Sequence, residues 1–341
     1  MKKFVDKSDK SIIIEIYFYW EIFMKRILTV ALILTLALLC LAGCKSNAKK
    51  DYILATGGTS GTYYPFGGAI ANIWNTKVAN MNVTAQATGA SAENLRLINK
   101  GDAEFAIVQN DVMDYAYNGT DLFAGEKLAN IQTIGTLYPE VVQIAVSKTS
   151  GIQSITGMGG KRISVGDAGS GVEFNAKQIL EGYGITFADI KKNNLSFKES
   201  ADGIQNGTLD GCFITAGVPN AALQELAFTA GLQLVPVAGA EAEKIMAKYN
   251  YYTLTTIPGG TYKGTDKDTS ALAIKATLAV NAKLDTDTVY EMTKALFSNL
   301  PELATAHAKG KEVSAEKAVT GVSVPFHPGA VKYFKELGLM K

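Results

Sequence analysis

The sequence predicts an α/β protein with two lobes, each a mainly parallel sheet flanked by helices, and a ligand cleft between the lobes. Two observations lead to this prediction. Strand-like and helix-like segments alternate from residue 51 onward, as is typical of a parallel sheet covered by helices. A similar strand and helix unit also occurs twice along the 341-residue chain, which is long enough for two domains.

The first half of the alternating region contains five predicted elements, assigned from apolar patterning and from the glycines that end them. In order they are a strand at Tyr52–Ala55, a helix at Pro65–Val78, a strand at Asn82–Ala87, a helix at Ser91–Asn99 and a strand at Ala103–Val108.

The second half repeats this unit with the same spacing. In each copy a helix ends at a glycine, an acidic residue follows three positions later, and a polar residue stands eight positions after the glycine, just beyond an apolar strand. The equivalent pairs are Gly101 and Gly207, Glu104 and Asp210, and Gln109 and Thr215. Glycine at such a position accepts the left-handed conformation that ends a helix.

Each half also begins with a strand that runs into a glycine-rich loop and then a helix. The loops are 57–61 and 166–171, and the second leads from the strand Arg162–Val165 into a helix over Val172–Leu180. Both place a Ser-Gly pair at a predicted helix N-terminus, where free N–H groups and the helix dipole favour an anion. Because ligands of open α/β sheets bind beyond the carboxyl ends of strands, the loops predict a cleft that binds a small anionic solute.

The N-terminal segment is predicted to be a lipoprotein signal peptide rather than part of the fold. Lys25 and Arg26 precede the apolar run 27–42, which ends in small residues before Cys44. The run is short for a membrane span and suits a signal peptide. We therefore assign residues 1–43 to the signal peptide, with 1–23 as a mis-called start of translation, Cys44 as the lipidated residue and 44–50 as a tether.

Composition and spacing exclude several function classes. The 33 basic and 32 acidic residues are balanced, so no nucleic-acid partner is expected. His307 and His327 lie far apart and make no metal-ligand cluster with the cysteines. The first loop lacks the Gly-Lys end of a phosphate-binding loop. We expect no metal and no cofactor, and we expect Cys212 to be a buried apolar residue rather than a reactive thiol.

Several residues allow two interpretations. Ser170 is either a hydrogen-bond donor to a carboxylate or the nucleophile of a hydrolase, and the absence of a G-x-S-x-G pattern favours the donor. Tyr63 and Tyr64 either face the cleft or pack beneath the loop. Arg96 and Arg162, the two arginines after Cys44, lie where neither is an obvious carboxylate clamp. A ligand-sensing lipoprotein is the alternative to a transport protein.

Six sequence blocks resemble, in order, the TAXI branch of TRAP-transporter solute-binding proteins. The opening signature of that family is similar to Thr56–Pro65. The later blocks are Ala106–Asp111, Leu137–Glu140, Gly166–Gly171, Thr215–Asn220 and Val324–Ala330. The resemblance covers residues 51–341. One departure is Val172, where the family usually has threonine, so a hydroxyl contact to the ligand is absent here.

The resemblance implies a periplasmic-binding-protein fold of the two-crossover type (type II), with lobe one at 51–145 plus 273–341 and lobe two at 146–272. It implies a monomeric binding protein, not an enzyme. Such a protein is anchored on the extracytoplasmic side of the membrane and passes glutamate, glutamine, 2-oxoglutarate or a similar carboxylate to a TRAP permease. The ligand-binding residues that it implies are Gly58, Thr59, Tyr63, Tyr64, Ser91, Gln109, Gly169, Ser170, Gly171, Thr215 and Gly217.

Overall fold

The computed structural model describes residues 16–30, 32 and 49–341. Residues 1–49 and 50–341 belong to two separate compact units. In the first unit, residues 16–30 and 32 are helical (α1) and carry exposed aromatic side chains. Among the described residues, no helix has the length and apolar character needed to cross a membrane. Cys44, most of the apolar run 27–42 and most of the tether lie outside the described residues.

The second unit contains ten strands. They are β1 (Lys50–Ala55), β2 (Met81–Gln86), β3 (Phe105–Gln109), β4 (Ile131–Val146), β5 (Arg162–Ser164), β6 (Lys191–Asn193), β7 (Gly211–Ala216), β8 (Gln233–Leu234), β9 (Thr253–Ile257) and β10 (Thr269–Asn281). Every strand predicted from the sequence is present, with ends that differ by one or two residues.

Eleven helices accompany these strands in the second unit, besides four short 3-10 helices. They are α2 (Tyr63–Lys77), α3 (Ser91–Lys100), α4 (Asn110–Asn118), α5 (Gly171–Gly182), α6 (Phe197–Gln205), α7 (Ala221–Thr229), α8 (Gly239–Lys248), α9 (Thr286–Ser298), α10 (Leu300–Ala306), α11 (Ala315–Ala318) and α12 (Pro328–Glu336).

Two long strands join the two lobes. The sheet order is β2-β1-β3-β10-β4-β7-β5-β6. β4 pairs antiparallel with β10 up to Val141, and from Val141 onward it pairs antiparallel with β7. The first lobe therefore consists of β2-β1-β3 with β10 beside them, and the second of β6-β5-β7 with β4 beside them. This two-lobe α/β architecture confirms the predicted fold class; the residue limits given above for each lobe stay a prediction.

The repeated unit seen in the sequence corresponds to a repeated topology. In each lobe three parallel strands are followed by one antiparallel long strand: β10 beside β3 in the first lobe and β4 beside β7 in the second. Gly101 and Gly207, which follow α3 and α6, both have positive φ (89° and 72°), the conformation in which glycine avoids a Cβ clash.

Apolar side chains cover both faces of the sheet in each lobe. In the first lobe α2, α9 and α12 pack on one face and α3 and α4 on the other. In the second lobe α5 and α8 pack on one face and α6 and α7 on the other. Cys212 is fully buried, as expected, and so is Trp74; burying one large apolar side chain contributes about 1.5–3 kcal/mol. These cores hold the strand ends, and the loops after them, in fixed positions.

Candidate ligand-binding site

A cavity lies between the two lobes, at the carboxyl ends of the parallel strands. About 40 Å³ of it is open to the centres of water molecules, more than a single water requires. The first lobe contributes Gly57, Gly58, Ser60, Gly61, Thr62, Tyr63, Ala90, Ser91, Gln109 and Glu140, and the second contributes Asp167, Ser170, Gly171, Val172, Phe197 and Thr215.

Most of the ligand-binding residues implied by the family resemblance meet at this cavity. Those that line it are Gly58, Tyr63, Ser91, Gln109, Ser170, Gly171 and Thr215; those that do not are Thr59, Tyr64, Gly169 and Gly217. Tyr64 is exposed on the outer side of α2, and Gly217 packs against the side chain of Lys309. The set stays a prediction, but seven of its members share one enclosed space.

The N-terminus of α5 forms one wall of the cavity. Ser170 caps the helix, and its hydroxyl accepts a hydrogen bond from the Glu173 N–H at 3.3 Å. The N–H groups of Gly171 and Val172 belong to the first turn, where an α-helix offers no carbonyl partner, and both residues line the cavity. This wall can therefore donate backbone hydrogen bonds to an anionic group.

The first lobe differs slightly from the expected arrangement. Ser60 and Gly61 belong to a tight turn in which the Gly61 N–H bonds to the Gly58 carbonyl, and α2 begins only at Tyr63. The capping position is Thr62, whose hydroxyl accepts no hydrogen bond from α2 but accepts one from the Gly217 N–H, across the cleft, at 3.1 Å. The Ser-Gly pair therefore precedes the helix rather than capping it.

Gln109 faces the cavity with an unsatisfied polar atom. Its side chain is only 3% exposed, yet its Oε1 has no hydrogen-bond partner among the described residues. The side chain contacts the start of α5 so closely that a β-carbon on Gly171 would lie 2.0 Å from Oε1. A buried polar atom without a partner is costly, so this oxygen is available to a donor group that enters the cavity.

Glu140 is a buried carboxyl that the sequence did not single out. It is 2% exposed, lines the cavity, and its Oε2 accepts a hydrogen bond from the Tyr63 hydroxyl at 2.5 Å. Burial raises the pKa of Glu140 to about 8, although the Tyr63 hydrogen bond opposes part of that rise. Its carboxyl is therefore mostly protonated at neutral pH.

A buried hydrogen-bond network joins the lobes beside the cavity. The amide of Asn175 donates to Asp111 at 3.1 Å and accepts from the Thr215 hydroxyl at 2.9 Å. Burial raises the pKa of Asp111 to about 7. Asp111 lies on α4 of the first lobe and Asn175 on α5 of the second, so the Asp111–Asn175 hydrogen bond joins the two lobes, whereas the Thr215 contact lies within the second lobe. Gln178 and Tyr115 form a second bridge between the same helices at 3.0 Å.

Several of the lining residues were not predicted, and the sequence contained a signal for only some of them. Glu140 stands in one of the blocks with family resemblance, but its burial depends on long-range packing of β4 against α2. Asp167, whose pKa burial raises, lies in the second glycine-rich loop and is not among the predicted ligand-binding residues. Phe197 comes from the start of α6, and its ring lies within 3.6 Å of the position of a β-carbon on Gly61.

Among the described residues, the cavity lining holds no lysine, arginine or histidine. Arg96 pairs with Glu126 at 2.8 Å and Arg162 with Asp210 at 2.6 Å, both outside the lining. His307 and His327 accept backbone N–H bonds elsewhere in the fold. In the part of the chain that the structure describes, no group of three or more His, Cys, Asp or Glu residues is arranged to hold a metal ion. Binding of an anion here would rest on backbone N–H groups, hydroxyls and amides.

Comparison with protein families gives one match that spans nearly the whole second unit. The model of the NMT1-like family matches residues 54–338. The matched range includes every residue that lines the cavity.

Solved structures with similar folds are only remotely related in sequence. A protein from Bordetella bronchiseptica RB50 aligns with a TM-score of 0.52 at 13% identity over 86% of this chain and 90% of that chain. The periplasmic aliphatic sulphonate binding protein of Escherichia coli gives 0.44 at 13% identity over 86% and 84%. The substrate binding protein of an amino acid ABC transporter gives 0.47 at 10% identity over 75% and 97%. Such similarity concerns the fold alone.

Proposed function

The chain belongs to the NMT1-like family, and we propose that it is an extracytoplasmic solute-binding protein whose two lobes close over one small carboxylate solute. In this proposal the protein hands the solute to a membrane permease of the TRAP type, and a lipid on Cys44 holds it at the membrane. Glutamate, glutamine and 2-oxoglutarate are the first candidates for the solute. The protein binds its solute without chemical turnover.

One observation carries the proposal: the cavity is enclosed by both lobes and is lined by hydrogen-bond donors without a basic side chain. Helices α2, α3, α4 and α5 all begin at the cavity or one residue from it, with Tyr63, Ser91, Gln109 and Gly171 in its lining. Their positive dipole ends favour an anion there. The unpartnered Gln109 oxygen adds an acceptor for a donor group of the same solute.

Contacts between the lobes support a cleft that opens and closes. The Thr62–Gly217 hydrogen bond and the Ser60–Asn220 hydrogen bond (3.3 Å) close one side of it, and Asp111–Asn175 closes another. These three contacts are single polar hydrogen bonds, and among the described strands β4 and β10 are the two that run through both lobes. Two lobes joined by such strands are suited to hinge closure around a ligand.

The test is a thermal-unfolding screen of the purified chain against amino acids, dicarboxylates, oxo acids and sugars. A solute that binds only the folded state raises stability by about 4 kcal/mol at a thousandfold excess over Kd. We expect a large rise in Tm with one carboxylate and none with sugars, and no consumption of that solute over time. A rise in Tm with sugars alone would contradict the proposal that the solute is a carboxylate. Consumption of the solute would contradict the proposal that the protein only binds it. A repeat after unfolding and refolding removes any solute retained during purification.

A further inference from the structure

The carboxyl of Glu140 is a cavity group that the proposed function leaves unexplained. A cavity suited to an anion has a carboxyl group in its wall, 98% buried, with its Oε2 bonded to the Tyr63 hydroxyl. Charged carboxylates are rarely buried without a cationic partner. The surroundings of Glu140 therefore decide whether it is present as an acid or as a carboxylate.

The titratable groups around Glu140 offer it little cationic compensation. Tyr63 faces it from α2, Tyr138 lies on its own strand and Asp111 lies on α4; Lys309, on the 3-10 helix Ala308–Glu312, is the basic residue that acts on it. The Nζ of Lys309 already pairs with Glu312 Oε1 at 2.6 Å. Across the cavity the second lobe presents Asp167, another acidic group.

A bound anion would make an ionised Glu140 still less favourable. Four helix N-termini meet at the cavity, and the first turn of α5 presents free N–H groups to it. If a carboxylate solute binds there, an ionised Glu140 in the same small space would be a second negative charge with no counter-ion. A protonated Glu140 avoids this repulsion and has one O–H to donate, because its other oxygen already accepts from Tyr63.

We propose that Glu140 determines which solute the cleft accepts, by donating a hydrogen bond as a neutral carboxylic acid to an acceptor oxygen of the solute. This inference rests on the proposed function and narrows its solute class. The solute would carry a carboxylate for the helix N-termini and an oxo, hydroxyl or carbonyl oxygen for Glu140. An ammonium group at that position would meet the O–H of a neutral acid instead of a carboxylate, so it would bind less tightly than an acceptor oxygen.

Matched pairs of acids test the solute class directly. Calorimetric titrations of the purified chain would compare 2-oxoglutarate with glutamate, oxaloacetate with aspartate, and pyruvate with alanine. We expect the oxo acid of the binding pair to bind at least about tenfold more tightly than its amino partner. Glu140→Gln, which keeps an N–H donor, should retain that oxo acid within about tenfold. A preference for the amino acid that Glu140→Gln abolishes would overturn the proposal.

The pH dependence gives a second readout. Because the neutral form of Glu140 donates, affinity for the oxo acid should fall as pH rises above about 8, the pKa that burial gives this group, and the fall should be absent in Glu140→Gln. Tyr63→Phe, which removes the hydroxyl bonded to Glu140, should move the midpoint to higher pH. Affinity that instead rises with pH through this range would overturn the proposal.

Infrared spectroscopy tests the protonation state without any solute. The C=O stretch of a protonated carboxylic acid should be present at pH 7, disappear at pH 10, and be missing from Glu140→Gln. If Glu140 is ionised at pH 7, the inference fails whatever the solute. If the band is present while none of the six acids binds, the protonated state of Glu140 is supported. The proposal that fails is then that the protein binds a carboxylate solute.

Discussion

The two lobes repeat one framework but use their polar groups differently at the cavity. Among the residues that the structure describes, the Gln109 side-chain oxygen has no partner and the Glu140 carboxyl has one, the Tyr63 hydroxyl, both in the first lobe. In the second lobe Ser170 caps its own helix, and Thr215, the equivalent of Gln109, donates to Asn175. The second lobe is therefore a pre-organised wall of backbone N–H groups, whereas the first lobe holds side chains still free to bind a solute.

The same comparison explains the acidic residue of the repeat. Glu104 accepts a hydrogen bond from the Ile53 N–H at 2.8 Å, and Asp210 accepts one from the Arg162 N–H at 2.8 Å. Each carboxylate thus ties the third strand of its lobe to the first. The conserved spacing within this chain serves the framework, and the functional difference lies eight residues after the glycine, at Gln109 and Thr215.

The largest effect expected from the difference between the lobes is on how the stability of the fold depends on pH. Glu140 and Asp111, both of the first lobe, have pKa values raised by burial to about 8 and about 7. The folded state therefore binds more protons than the unfolded state between about pH 4 and those values. The stabilisation contributed by these two carboxyls should be fully present below about pH 4 and lost as pH rises to about 8, by on the order of 5–10 kcal/mol altogether.

Urea unfolding at several pH values measures this loss. Asp111→Asn and Glu140→Gln should each reduce the decline in the free energy of unfolding between pH 5 and pH 8.5. Asp210→Asn in the second lobe serves as the control and should leave this decline unchanged, because Arg162 holds the pKa of Asp210 below its usual value. A decline that persists in both first-lobe variants would show that it arises elsewhere.

The next effect concerns closure of the cleft against the α5 wall. Gly171→Ala places a β-carbon 2.0 Å from Gln109 Oε1, so one of the two must move before the lobes can close. Overpacking of this kind costs about 1–3 kcal/mol, which corresponds to a loss of affinity of about five- to 150-fold. Calorimetric titration of the solute measures it.

Gly58→Ala is the matched control for that variant. Gly58 also lines the cavity, but a β-carbon there meets no heavy atom within 4 Å. We expect its effect on affinity to be much smaller than that of Gly171→Ala. Equal losses in the two variants would mean that glycine flexibility, rather than the close approach of the lobes, is what binding requires.

The third test replaces each of the two equivalent residues of the repeat by an apolar residue. Gln109→Met removes the unpartnered amide, so affinity should fall about tenfold, while stability should change little or improve. Thr215→Val removes a hydroxyl that already bonds to Asn175, so it should cost about 1 kcal/mol of stability with a smaller effect on affinity. The reverse pattern would refute the division of roles between the lobes.

The smallest effect concerns the framework acids. Glu104→Gln and Asp210→Asn each weaken one tie between strands, at about 1 kcal/mol in the free energy of unfolding. Asp210→Asn should cost the more of the two, since Asp210 also pairs with the guanidinium of Arg162. Its extra contribution should vanish in acid, as pH falls through the lowered pKa of Asp210. Neither variant should alter solute affinity.

Much of the framework could be predicted from the sequence because its signals are local. Apolar runs between glycines gave β1, β3, α3 and α5 within one or two residues, and the repeat placed Gln109 and Thr215 at equivalent strand ends. The cap at Ser170 followed the same local logic. The predicted placement of Ser60 and Gly61 at the N-terminus of α2 was less accurate, because α2 begins only at Tyr63. Thr62, at the capping position, bonds across the cleft to Gly217, a partner far away in the sequence.

The site could be predicted only in part, because its electrostatics depend on distant packing. Glu140 and Tyr63 are 77 positions apart, yet their side chains meet in the cavity wall. Asp111 of the first lobe meets Asn175 of the second. No periodicity marks either carboxyl as buried, so the two raised pKa values could not be anticipated.

By itself, then, the sequence determined the α/β class, the two-fold repeat and the strand ends at which a ligand would bind, because apolar periodicity and glycine conformations act over a few residues. The tertiary structure alone decided that β4 and β10 join the lobes, that Glu140 is buried beside Tyr63, and that Gln109 lacks a partner. These features arise where segments far apart in the chain exclude water together, and burial of that kind is a property of the assembled fold.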